Sequence, residues 1–62
     1  MWIKTVFGVL VNTNSVESIL YDEEDNRTKA IFRDGCQIIA EGDVTPLITS
    51  AIIKNMPFVG VQ

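Results

Sequence analysis

TKAIFRDGCQIIA, residues 28–40, holds the clearest folding signal in the chain. Asp-Gly flanked on both sides by apolar positions is the strongest short-range hairpin signal, and Asp34-Gly35 is flanked in that way. The stretch reads as two antiparallel strands, 28–33 and 36–40, folded back at Asp34-Gly35. Toward the N-terminus, residues 22–27 (DEEDNR) hold no apolar side chain and read as a solvated hairpin tip. Residues 16–21 then form a strand, with Val16, Ser18 and Leu20 on one face and Glu17, Ile19 and Tyr21 on the other. Residues 12–15 (NTNS) have turn chemistry throughout, because each side chain can bond its own backbone. Residues 2–7 (WIKTVF) are β-branched and aromatic, and Gly8-Val9 suits a type II′ turn, so residues 2–11 read as a first hairpin.

Toward the C-terminus the period changes. Val44, Leu47, Ile48, Ala51 and Ile52 fall on one face of a helix. Thr45 reads as its N-cap, Pro46 as its first residue, and Asp43 places negative charge at its positive end. Lys54 suits the last turn, Asn55 the left-handed stop, and Pro57 forbids continuation. The helix is about nine residues, some 14 Å long, and too short to stand without a sheet to lie on. The expected fold is therefore α+β in a single domain, residues 1–62. It is an antiparallel meander of about five strands, with one short C-terminal helix on the sheet and an extended terminal tail.

A chain of 62 residues buries only about 60% of its unfolded surface and needs further support. Cys36 is the single cysteine, so no internal disulfide forms, and with no histidine and one thiol no zinc site is expected. Association with other copies is the remaining support. The net charge is −3, and the cations are too dispersed to follow a phosphate backbone, so no nucleic-acid partner is expected. No stretch approaches the roughly 20 apolar residues of a membrane span. The opening MWIKTVFGVLVN lacks the basic region and cleavage site of a secretory leader. A reduced thiol in a cytoplasmic protein is the expectation.

Catalysis has little to draw on. Cys36 has acidic sequence neighbours, which disfavour a thiolate, and reads as a small apolar filler that alkylates slowly. The acidic run from Asp22 lacks the ligand spacing of a calcium loop and reads as solvated. Glu-Gly-Asp at 41–43 reads as helix capping, because its carboxylates would repel a phosphate. No catalytic, cofactor-binding or metal-binding residue is assigned, and the chain is not expected to be an enzyme.

Recognition is the alternative to catalysis. Met56, Phe58, Val59 and Val61 crowd the closing stretch MPFVGVQ, and they are expected to bury themselves between subunits of a homo-oligomer, a dimer by preference; the alternative is a monomer whose tail joins its own core or adds a sixth strand to its own sheet. Trp2, Tyr21, Lys4, Arg27, Lys29 and Arg33 are the candidates for a ligand or partner surface. The expected function is a non-catalytic homo-oligomeric module that binds another protein. The alternative is a phage-type inhibitory or ligand-sequestering protein that holds a small anionic or nucleotide-like molecule between subunits.

The segments G-V-L-V-N (8–12), V-E-S-I (16–19), T-K-A-I-F-R-D-G (28–35) and I-I-A-E (38–41), followed by an apolar helix, resemble the small flagellar FlbD-type proteins. The opening also resembles small proteins of Gram-positive bacteria and their phages that begin IKTxxGxLVN. The resemblance spans residues 8–53. It implies the same β-rich fold with a closing helix, and it carries no activity onto any residue. DEEDNR stands where the flagellar proteins often have a proline-containing stretch.

Overall fold

Arg33 and Asp34, rather than Asp34 and Gly35, make the tight turn at the centre of the chain, for Phe32 pairs with Gly35 across the ladder. Gly35 lies outside the left-handed region, and a Cβ there would meet nothing within 4 Å. This glycine is therefore not what closes the turn. A computed structural model describes residues 1–61. Its strands are β1 (Trp2–Lys4), β2 (Leu10–Asn12), β3 (Ser18–Asp22), β4 (Arg27–Phe32), β5 (Gly35–Glu41) and β6 (Phe58–Gly60), with the helix α1 (Thr45–Ile53) between β5 and β6.

The first hairpin also closes on other residues than expected. Val6, Phe7 and Gly8 form a three-residue loop. Gly8 N–H donates to the Thr5 carbonyl at 3.0 Å, and Thr5 N–H donates to Val9 at 2.8 Å. Gly8 takes φ +79° at the third loop position, where a left-handed residue brings the strands back together. A type II′ turn would have needed it first. The acidic tip is a hairpin loop as expected, with Asn26 at φ 56°, a conformation asparagine tolerates.

The strands do not form one five-stranded meander. They make two three-stranded sheets, β2-β1-β6 and β3-β4-β5. Separation begins after β2, where a 3-10 turn at Thr13–Ser15 leads the chain away from its first sheet. The Asn12 side chain holds this turn by accepting the Asn14 N–H at 3.0 Å. The tail then returns as β6 and pairs parallel to β1, in the register Trp2–Phe58, Ile3–Val59 and Lys4–Gly60. With a single helix among the described residues, the chain is mostly β and consistent with α+β.

Both sheets turn apolar side chains onto one core. Val11, Ile3 and Val59 form a row across the first sheet. Ala30, Ile39 and Ala40 come from the second, Ile48 and Ala51 from α1, and Val61 from just past β6. A bulge makes this possible. The ladder shifts between Thr28–Ala40 and Lys29–Ile38, leaving Ile39 as the extra residue. Two successive residues, Ile39 and Ala40, thereby turn inward. The Ile39 carbonyl accepts the Val6 N–H at 3.0 Å and ties the second sheet to the end of the first.

Thr28 fastens the loop between β5 and α1. It is fully buried. Its Oγ1 donates to the Gly42 carbonyl at 2.7 Å and accepts the Val44 N–H at 3.0 Å. Thr28→Val should cost about 1–3 kcal/mol, because both backbone groups lose their partner while the side-chain volume is kept. Urea denaturation measures this, and an unchanged midpoint would remove Thr28 from that role.

Thr45 is the first helical residue rather than the N-cap, and the Asp43 carboxylate accepts its N–H at 3.0 Å. Asn55 ends the helix at φ 55° as expected. Its N–H reaches the Ile52 carbonyl and the Met56 N–H reaches Ala51, each at 3.0 Å, which is the Schellman pattern. Ile48 and Ala51 face the core, but Leu47 and Ile52, expected on the buried face, are exposed.

Candidate interaction surface

Alternation gives the first sheet two unlike faces. Ile3, Val11 and Val59 point inward, so their neighbours point out. The ladder sets these neighbours in two outer rows, Asn12-Trp2-Phe58 and Leu10-Lys4-Gly60. Trp2 is 46% exposed, Phe58 48% and Leu10 55%. Two aromatic side chains on adjacent strands and a leucine thus stand in water around a single cation, Lys4.

The same alternation divides the residues expected at a subunit interface. Phe58 and Met56 are exposed, whereas Val59 and Val61 fill the core of their own chain. A strand cannot present consecutive side chains to one partner, so these two valines drop out of the expected interface set.

A second apolar region lies along α1. Its sequence, TPLITSAII, contains no charged residue, and Ile53 is 78% exposed. Between α1 and β3 runs an open groove of about 340 Å³, lined by Val16, Ile19, Ile48 and Ile52 among others. A neighbouring hollow shares Ile52 and Thr13 and extends to Met1 and Met56. Leu10, Leu47 and Ile53 were not among the expected surface residues. An uncharged helix whose apolar residues spread beyond a single face is the sequence signal that would have exposed the two on α1.

Within one chain the candidate cations sit on separate elements, and two of them are paired with carboxylates. Arg27 Nε lies 3.2 Å from the Glu41 carboxylate. Lys29 Nζ lies 2.8 Å from Asp25 and 3.0 Å from Asp22. Hydrogen bonds that it donates to Asp25 and Asp22 hold the Lys29 ammonium above its usual pKa. The Lys29 hydrogen bond in turn holds the Asp22 carboxyl below its own. The acidic tip is therefore clamped by Lys29 rather than simply solvated. Arg33 sits in the exposed turn after β4, and Lys4 on the outer face of the first sheet. Tyr21 lies on the second sheet and donates its hydroxyl to Asn26 Oδ1 at 2.6 Å. Trp2 is on the first, so within one chain the six residues are divided between the two sheets.

Cys36 is exposed, not the buried filler expected. It follows the turn at the start of β5, before that strand reaches the core. Thiol reagents should therefore label Cys36 in the folded protein at nearly the rate seen after unfolding. Strong protection in the folded state would place the thiol inside an assembly.

Among the described residues, no group of three His, Cys, Asp or Glu side chains is arranged to hold a metal ion. No described helix is long and apolar enough to cross a membrane. No family model, curated protein or solved structure matches the chain.

Proposed function

We propose that this protein is a small non-catalytic interaction module of the cytoplasm, one that associates with itself and presents an apolar face to another protein. The observation that carries the reading is the outer face of the first sheet, where Trp2, Phe58 and Leu10 stand exposed together. Large contiguous apolar patches on small domains mark interaction sites, and aromatic side chains are the usual anchors of such sites. The unpaired thiol fits a reducing compartment. The alternative, a ligand-sequestering protein for small anions, has less to work with, since Arg27 and Lys29 are already matched by carboxylates.

Trp2 is the only tryptophan and lies on the face in question, so its fluorescence reports directly. From micromolar to millimolar protein, the mass from light scattering should rise above that of a monomer, and the emission should shift to the blue when the partner protein covers this face. Protein recovered from its host should hold a partner that Leu10→Glu releases. A nucleotide-like absorbance on the recovered protein would select the alternative, and a bare monomer at every concentration would overturn the reading.

A further inference from the structure

The two-dimensional register of the first sheet says which backbone groups are left over at its edge. Trp2 N–H donates to the Pro57 carbonyl at 2.9 Å, and Val61 N–H donates to the Lys4 carbonyl at 3.1 Å. In a strand, backbone groups alternate sides with each residue. Residues 57, 59 and 61 therefore spend theirs on β1, and Phe58 and Gly60 aim theirs away from it. β6 is the last strand of its sheet, with β1 as its one neighbour. Among the described residues no hydrogen bond reaches the outward groups of Phe58 or Gly60.

We infer that this edge pairs with the same edge of a second copy, β6 against β6, antiparallel about a two-fold axis at Val59. The inference rests on the self-association proposed above and gives it a location. Phe58 and Gly60 are equally spaced about Val59, so the axis sets Phe58 opposite Gly60 of the partner subunit. These are the residues whose groups point outward on each side, so each pair exchanges both its N–H···O=C bonds. The result is one continuous sheet, β2-β1-β6 joined to its symmetry mate.

Side chains agree with that register. Phe58 and Gly60 both lie on the outer face, and across the axis the ring stands beside the partner subunit's Gly60. A Cβ built at Gly60 meets nothing within 4 Å, so its backbone is bare for the ring to cover. One strand further along the row is Lys4 of the partner subunit, whose long stem reaches toward the aromatic face. Proteins protect edges with charges, prolines or bulges. From Asn55 to Val61 this edge carries no charge, and its one proline precedes the strand. The edge of β3 is unlike it, flanked by Glu17 and by the acidic tip, where two copies would repel.

The accessible surface of the chain is 4131 Å², and a standard interface takes roughly 800 Å² from each partner. An edge of three residues supplies less than that, so the dimer should be concentration-dependent. Light scattering on the full chain, with Gly60→Pro, Phe58→Asp and Leu10→Asp beside the wild type, decides the matter. Wild type should reach dimer mass in the high micromolar range. Gly60→Pro removes an outward donor, a change edge strands tolerate, and should stay monomeric at the same concentration with an unchanged circular dichroism spectrum. Phe58→Asp should also be monomeric, and it gives the same readout if the proline variant fails to fold. Leu10→Asp, on the far strand of the sheet, should still dimerise. A dimer that survives both Gly60→Pro and Phe58→Asp overturns the edge pairing and leaves self-association standing. A wild type that is monomeric at millimolar concentration overturns both.

Discussion

Deleting residues 57–62 should leave the chain unfolded. The deletion takes β6 from beside β1 and withdraws Val59 and Val61 from the core, where they are 6% and 0% exposed. Burying a valine stabilises by roughly 1.5–3 kcal/mol, so the pair contributes about 3–6 kcal/mol. At about 0.05–0.15 kcal/mol per residue, a domain of this length has roughly 3–9 kcal/mol in total. The loss is thus comparable to the whole. Ile3 also suffers, since it is fully buried between Val11 and Val59 and would be open to water on one side. Far-ultraviolet circular dichroism and amide NMR dispersion are the measurements. A truncated chain that still melts cooperatively would show that β6 is not part of the core. This outcome is independent of any dimer, because the inward valines belong to the fold and the outward Phe58 and Gly60 to the edge.

Ile39→Ala should destabilise the protein by about 2–5 kcal/mol, the usual range for emptying a fully buried aliphatic site. Ile39 is 0% exposed, and its backbone joins the two sheets through the Val6 N–H, so the surroundings have little freedom to collapse into the cavity. For a domain of this size each kcal/mol shifts the melting temperature by roughly 4–8 °C. Ile38→Ala is the companion measurement. Ile38 pairs with Lys29 outside the bulge and is only partly buried, so its loss should cost much less. A larger cost at Ile38 than at Ile39 would mean that the bulge is misplaced and that simple alternation runs through the strand, turning Ile38 inward with Ala40.

Some elements could be read at the level of residues. The helix end at Asn55 follows from a left-handed stop before Pro57, and the acidic loop from a run with nothing to bury. Both are local chemistry. The turns were half legible. Gly8 does supply a positive φ, yet the loop spans Val6–Gly8 because Thr5 Oγ1 accepts the N–H groups of Phe7 and Val9 at 3.2 Å and holds a wider bend. Asp34-Gly35 marks the right hairpin one residue late. The expected surface residues divided in the same way. Trp2 and Phe58 are exposed on adjacent strands, while Arg27 and Lys29 are taken up by acidic side chains on neighbouring strands and in the loop, which spacing along the chain did not reveal.

Short-range physics settles, from the residues alone, which segments are strands, where the helix runs and stops, and that a chain without disulfide or histidine has more apolar residues than so small a core can cover. Which strands are neighbours is a matter of long-range packing. Pairing β6 with β1 joins residues at opposite ends of the chain, and the reward for that contact is burial of Val59 and Val61 against Ile3, a gain with no local signature. The same contact sorts the tail, turning its valines into the core and leaving Phe58 and Gly60 on the surface, because a strand alternates its side chains once its partner is chosen.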